Sequence, residues 1–272
     1  MKRQQIIILI VAVLSIAGLY SLPRVVVDND ENEGGAIVDN TNPDASGVEH
    51  SAEIPEEVLP AVNKWKSELI AGTMVTDNEA ALDSLMLVFQ SVNKYDSAAY
   101  YAEQFAGTYP EVDHWRKAGD AYYEAFKFAV DEAKTMQLVS KARSFYDKIL
   151  ATGTNDLEAR NNIAMMLVST SAPMQGVMML REILAEAPQN ERALFNMGIL
   201  SIRSQQFDRA LERFETLTGY YPEHLEGHYY LGVSYFETGQ LDKAKAQFEK
   251  VKQMDSDAMV QTAADEYLER IE

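Results

Sequence analysis

Two histidines four residues apart, His224 and His228, are the first residues of this chain whose spacing suggests chemistry. On a helix that spacing sets both rings on one face, where they could share a metal ion. The zinc-protease pattern requires Glu directly after the first His; here Leu225 stands there, with Glu226 one later. No third ligand is evident nearby, and His224 falls at an expected turn. A second candidate is the acidic run from Asp28 to Gly34, which alternates like a calcium loop. Asp39 occupies the position where that loop needs a bidentate Glu, and no flanking helix pair is evident. The stretch Gly232-Val233-Ser234-Tyr235-Phe236 lacks the last Gly of a nucleophile elbow and is expected mid-helix. No glycine-rich phosphate loop is present. With 0 Cys there is no thiolate ligand, disulfide, lipid-modified cysteine or thiol redox chemistry. Paired carboxylates such as Glu56-Glu57 read as solvated faces in a chain of 42 Asp and Glu against 24 Lys and Arg. The net charge of −18 argues against nucleic acid, which needs clustered cations. The expectation is a non-enzyme with no catalytic residue, cofactor or metal.

The elements that would position anything else begin with an apolar run. Residues 6–22 carry no charge, follow Lys2 and Arg3, and precede Pro23 and Arg24. As a helix this run rises roughly 25 Å at ~1.5 Å per residue, just enough to span a bilayer core of about 30 Å. It reads as a single-pass membrane anchor; the alternative is a cleaved signal peptide, for which Ser15-Ile16-Ala17 offers small residues. Between Arg24 and Lys64 there is no Lys or Arg, so the positive-inside bias puts the remainder outside the cytoplasm. In a bacterium that is the periplasmic side of the inner membrane, or a soluble periplasmic protein if the segment is cleaved. Residues 28–57 hold 10 Asp and Glu and no Lys or Arg, amid Asn, Gly and Ser. Residues 25–56 are therefore expected to be an acidic, disordered tether that self-repulsion extends.

Downstream the chain repeats. Leu157, Glu191 and Leu225 open three segments 34 residues apart, and Pro188 and Pro222 close the first two, with Ser256 in the third slot. Ile163-Ala164, Met197-Gly198 and Leu231-Gly232 align, as do Gly176, Ala210 and Ala244, and Leu180, Phe214 and Phe248. Small residues at these places let two antiparallel helices approach; the large ones fill the space beside them. Trp115, Ala118, Gly119 and Tyr122 begin an earlier unit, with Ala142, Tyr146 and Ile149 on its second helix. That unit, 112–156, runs 11 residues longer than its neighbours, which is about three helical turns at ~3.6 residues each. Longer helices that protrude from the stack are expected, with a turn that no Gly or Pro marks. A divergent unit over 79–111 precedes it, with Thr76 and Glu79 as a candidate capping box. Residues 57–71 read as a leading helix, with Pro60 in its first turn, and 258–271 as a closing one.

This pattern resembles the tetratricopeptide repeat, best in the last unit through Leu231, Gly232, Tyr235, Gly239, Ala244 and Phe248. The resemblance covers about 79–258 and implies an all-α fold: an α-solenoid of about five helix pairs, 79–111, 112–156, 157–190, 191–224 and 225–258, over a domain 57–272. It further implies protein–protein interaction, with the first helix of each pair lining a concave face. By phase that face would carry Asn161, Phe195 and Tyr229; Met165, Ile199 and Val233; Val168, Ile202 and Phe236. Arg192 and Arg203 would be its cations, able to hold a carboxylate while the aromatic residues take apolar side chains. Arg116 and Asp120 stand where some family members clamp a C-terminal carboxylate with Lys and Asn, and the Asp would repel one.

Anchor, tether and repeats together give the expected function: a scaffold or adapter in envelope assembly, secretion or folding. The alternatives are a chaperone-like holder of exported polypeptides and a self-assembling structural protein. The partner is expected to be a protein or peptide, with membrane contact through residues 6–22; the oligomeric state is left open.

Overall fold

The computed structural model describes residues 54–72, 74–170 and 172–271. The apolar run 6–22 and most of the acidic stretch lie outside the described residues. Among the described residues every regular element is an α-helix, and none is long and apolar enough to cross a membrane.

The helices are α1 (Leu59–Ala71), α2 (Val75–Ser91), α3 (Tyr95–Thr108), α4 (Val112–Lys127), α5 (Glu132–Ala151) and α6 (Leu157–Val168). They continue with α7 (Pro173–Glu186), α8 (Glu191–Arg203), α9 (Phe207–Tyr220), α10 (Leu225–Glu237), α11 (Leu241–Met254) and α12 (Ala258–Ile271). Each packs chiefly on helices next to it or two away in sequence, the contact pattern of a solenoid. The first helices α4, α6, α8 and α10 touch one another along one side of the stack.

The 34-residue period is visible in the helix ends. Asp156, Asn190 and His224 cap α6, α8 and α10, each side chain accepting the backbone N–H three residues on. Each cap satisfies one of the four amide donors that a helix start leaves unpaired. The tight turns between paired helices use left-handed residues at equivalent places, Gln205 (φ 58°) and Gly239 (φ 75°).

Close approach decides the helix pairing. A Cβ on Gly198 would stand 2.5 Å from the Phe214 ring, and one on Gly232 2.9 Å from the Phe248 ring. Both rings are fully buried, as are Ala210 and Ala244 beside them. The closing helix α12 seals the last pair: Tyr267 stacks on Phe248 at 4.7 Å, and Ala264 is buried.

The long unit turns at Phe128–Asp131, where no residue has a positive φ, and Asp131 caps α5 through the Lys134 N–H. A turn that needs no left-handed residue leaves no Gly or Asn in the sequence. Its helices have 16 and 20 residues, against 13 and 14 in the last pair. The extension does not simply protrude. Phe128 stacks on Tyr95 at 4.2 Å, and Lys134 pairs with Asp96 of α3 at 2.5 Å. The capping box expected at Thr76 is absent: α2 starts at Val75 behind Met74 with no side-chain cap, and Glu79 instead bonds His114. Asp77, one residue along, already supplies an acid to the first turn.

Candidate partner-binding groove

A groove of about 940 Å³ opens along the first helices. Tyr123, Phe126 and Lys127 from the end of α4, with Ala129 of the turn and Thr135 of α5, form one wall. Asn162 and Met165 of α6, Ser169 at its C-terminal cap, and Arg192, Phe195, Asn196, Ile199 and Arg203 of α8 form the floor. His224, the cap of α10, and Glu226 and Tyr230 of that helix close the far side.

The aromatic residues are held before any ligand arrives. Phe195 stacks on the His224 ring at 5.3 Å and meets Tyr230 edge-on at 5.8 Å. Tyr123 and Phe126 lie 5.8 Å apart on the opposite wall. The cations differ in availability. Lys127 pairs with Glu124 at 2.7 Å, and Arg192 bonds Glu158, its counterpart one repeat earlier. Arg203 is exposed and has no ion-pair partner among the described residues.

Beneath the floor lies a polar network. The buried Tyr146 hydroxyl donates to Asp120 at 2.7 Å and accepts from the Asn162 amide at 2.9 Å. Burial pushes the Asp120 carboxyl above its ordinary range, although the Tyr146 hydrogen bond opposes this. Burial likewise raises the Tyr146 phenol, with the Asp120 charge adding to it. Asn162 is 2% exposed, and its Oδ1 has no hydrogen-bond partner among the described residues.

The eleven residues expected on the concave face divide in two. Met165, Arg192, Phe195, Ile199 and Arg203 line the groove together. Asn161 is buried between repeats, where its Oδ1 accepts from the Asn196 amide at 3.2 Å. Ile202 is half-buried against the core of the last two pairs. Tyr229, Val233 and Phe236 lie outside the lining of this groove. Val233 is buried, Tyr229 sits against Phe248 and Tyr267, and Phe236 lies between Tyr267 and the Arg270 guanidinium. The closing helix packs on this side of α10, where Val233 is buried and Tyr229 and Phe236 are half-buried. Val168 is half-buried and outside the groove lining.

Beside the expected residues that line it, the groove takes in Asn162, Asn196 and Tyr230, with Ser169, each one residue on from the expected rows 161/195/229 and 168/202/236. One residue rotates a side chain by about 100° around a helix. Asn161 faces the next repeat, as its bond to Asn196 shows, whereas Phe195 of the same row lines the groove. Tyr123 and Phe126 were not expected on this face; their signal was the aromatic pair in the extra turn of the long unit.

The two histidines do not converge on a metal. His224 accepts the Gly227 N–H through Nδ1 at 3.0 Å, and His228 has Gln247 and the Pro222 carbonyl at its two nitrogens. Among the described residues no group of three His, Asp or Glu could hold a metal ion.

Residues 195–258 match the tetratricopeptide repeat family. This is the segment from the middle of α8 to the start of α12. No curated protein matches the chain in sequence. Among solved structures, the chain is similar to the crystal structure of MamA, at 17% identity and a TM-score of 0.45, over 61% of this chain and 91% of that one. MamA from Desulfovibrio magneticus RS-1, from its residue 41 onward, gives 17% identity and 0.45 over 64% and 92%. YrrB, described as a tetratricopeptide repeat protein with an unusual peptide-binding site, gives 18% and 0.43 over 76% and 96%.

Proposed function

We propose that this chain is a non-enzymatic adapter whose first helices hold an extended segment of a partner protein. The observation that carries the reading is the groove itself. Preset aromatic and apolar side chains (Tyr123, Phe126, Met165, Phe195, Ile199 and Tyr230) stand beside Arg203, an exposed cation without an ion-pair partner among the described residues. Apolar side chains of a peptide would fill the aromatic walls, and a carboxylate would meet the guanidinium. The tetratricopeptide match over 195–258 supports the interaction role.

The sequence adds a location to this reading. Residues 6–22 tether the protein to the inner membrane with the repeat domain in the periplasm, and the acidic stretch 28–57 serves as a leash. A leash confines the groove near the membrane and raises its local concentration there. The pathway would be envelope assembly, secretion or folding. External protease should digest the domain in spheroplasts; full protection would refute the topology.

In-cell photo-crosslinking from position 230, with exposed Lys245 on α11 as control, tests the adapter. One or two discrete bands specific to 230 are expected. A ladder of many exported proteins would favour a holder of clients instead. Crosslinks to the chain itself would favour self-assembly, and no crosslink from 230 would refute the groove.

A further inference from the structure

His114, near the start of α4, is 3% exposed, and both of its ring nitrogens face acceptors. Nδ1 lies 2.7 Å from the Tyr109 carbonyl oxygen, and Nε2 lies 2.5 Å from Glu79 Oε1. A carbonyl oxygen cannot donate, so the first contact needs a proton on Nδ1. An ionised carboxylate cannot donate either, so the second needs a proton between Nε2 and Oε1. A neutral imidazole has one N–H and cannot supply both. The pair therefore holds one proton more than a neutral His beside an ionised Glu, whichever of the two atoms carries it.

The last repeat contains a contrasting pair. His228 also bridges a carbonyl and a side-chain oxygen, Pro222 O at 2.9 Å and Gln247 Oε1 at 2.8 Å. There the side chain is an amide, which can turn its NH₂ toward the ring. A neutral ring then satisfies both contacts, and the geometry requires no extra proton.

The His114 bridge joins separate elements. Glu79 belongs to α2, Tyr109 ends α3, and His114 belongs to α4. The titratable groups facing the ring are Glu79 from α2, the Tyr109 phenol from the end of α3, and Glu111 from the link before α4. Phe105 of α3 packs edge-on against the ring at 4.8 Å. Burial opposes a charge on His114. The hydrogen bonds to Glu79 and the Tyr109 carbonyl, with the charges of Glu79 and Glu111, outweigh it and raise the ring above its ordinary 6.5. The Glu79 side chain is 37% exposed, so water reaches the bridge and its proton can exchange without unfolding.

We propose that the His114–Glu79 bridge is a proton-operated latch that ties α2 to α4 while the shared proton is bound and releases them when it is lost. The sign follows from the direction of the shift. A raised folded value makes the contribution complete below the ordinary histidine range, and it disappears as pH rises through the folded value. After deprotonation the carboxylate and the Nε2 lone pair face each other and α2 loosens against α4, while Nδ1–H still donates to the Tyr109 carbonyl. The latch does not depend on the groove reading.

Hydrogen exchange of the full chain between pH 5.5 and 8.5, corrected for intrinsic rates, tests it. Protection of residues 75–91 should fall with rising pH relative to residues 225–237, by about tenfold for each unit by which the folded value exceeds the ordinary one. Glu79→Gln should abolish that fall while keeping protection at high pH, because it recreates the His228–Gln247 arrangement. The latch is refuted if the two segments track each other at every pH, or if Glu79→Gln shows the wild-type fall. If Glu79→Gln lowers protection at all pH values, the imidazole ¹⁵N shifts of the wild-type chain decide. A titration of His114 above the ordinary range would uphold the latch, and one at or below it would overturn it.

Discussion

The last two helix pairs and the long 112–156 unit solve the same packing problem with different chemistry. In the last pairs a glycine faces a phenylalanine, Gly198 against Phe214 and Gly232 against Phe248, and the contact is apolar. In the long unit the glycine is Gly119 and the ring is Tyr146, whose hydroxyl bridges Asp120 and Asn162. One oxygen atom turns a filled space into a buried polar network beneath the groove. Regular repeats are thus held by side-chain volume, whereas the long unit also depends on the hydrogen bonds that the Tyr146 hydroxyl makes to Asp120 and Asn162. The long unit is also the one that reaches into the groove.

The largest test of this contrast is Phe248→Ala, which should cost about 3–5 kcal/mol in denaturant unfolding through the cavity it leaves. In a stack of neighbour contacts, exchange should rise first in 225–271 and leave 75–108 protected; a uniform rise would deny the modular picture. Tyr146→Phe comes next. It puts the residue of the regular pairs into the long unit and strips a partner from Asp120 and Asn162, at about 1–3 kcal/mol. A cost under ~0.5 kcal/mol would mean that the hydroxyl is no more than a tolerated decoration.

Asp156→Ala should cost about 1–2 kcal/mol, because Asp156 caps α6 and also bonds Arg116 of α4. Burial pushes the Asp156 carboxyl up, but the Arg116 hydrogen bond, the backbone N–H groups and the Arg116 charge outweigh it and lower it below 3.8. Its contribution is therefore present above that ordinary value and lost as pH falls through the lower folded one. Acid titration of the wild type against Asp156→Asn should show that difference. Arg203→Glu, on an exposed side chain, should leave the melting temperature unchanged and weaken a groove peptide bearing a carboxylate by about tenfold, roughly 1.4 kcal/mol. Val130→Ser, on the exposed turn of the long unit, should stay within about 0.5 kcal/mol by thermal melting.

Much of the fold was legible because the relevant interactions are local or periodic. The 34-residue spacing, the small and large partners such as Ala244 and Phe248, and the closing helix through Ala264 and Tyr267 all follow from one face repeating. The turn of the long unit was not legible, since Phe128–Asp131 uses no left-handed residue and so leaves no Gly or Pro. The groove was half legible. Met165, Ile199 and Arg203 could be phased, but a one-residue error in phase separates groove from core, and only the neighbouring helix decides between them.

The sequence by itself determined which residues can pack: repeat length, helix pairing, the absence of thiol chemistry and the acidic surface. These depend on composition and on contacts between near neighbours in the chain. Tertiary structure alone decided which side chains remain available. It packed Tyr229 and Phe236 against α12, brought Tyr123 and Phe126 opposite Phe195 and Tyr230, and set His114 against Glu79, 35 residues away. Availability depends on what each helix face meets in space, and helical periodicity describes a face without naming its neighbour.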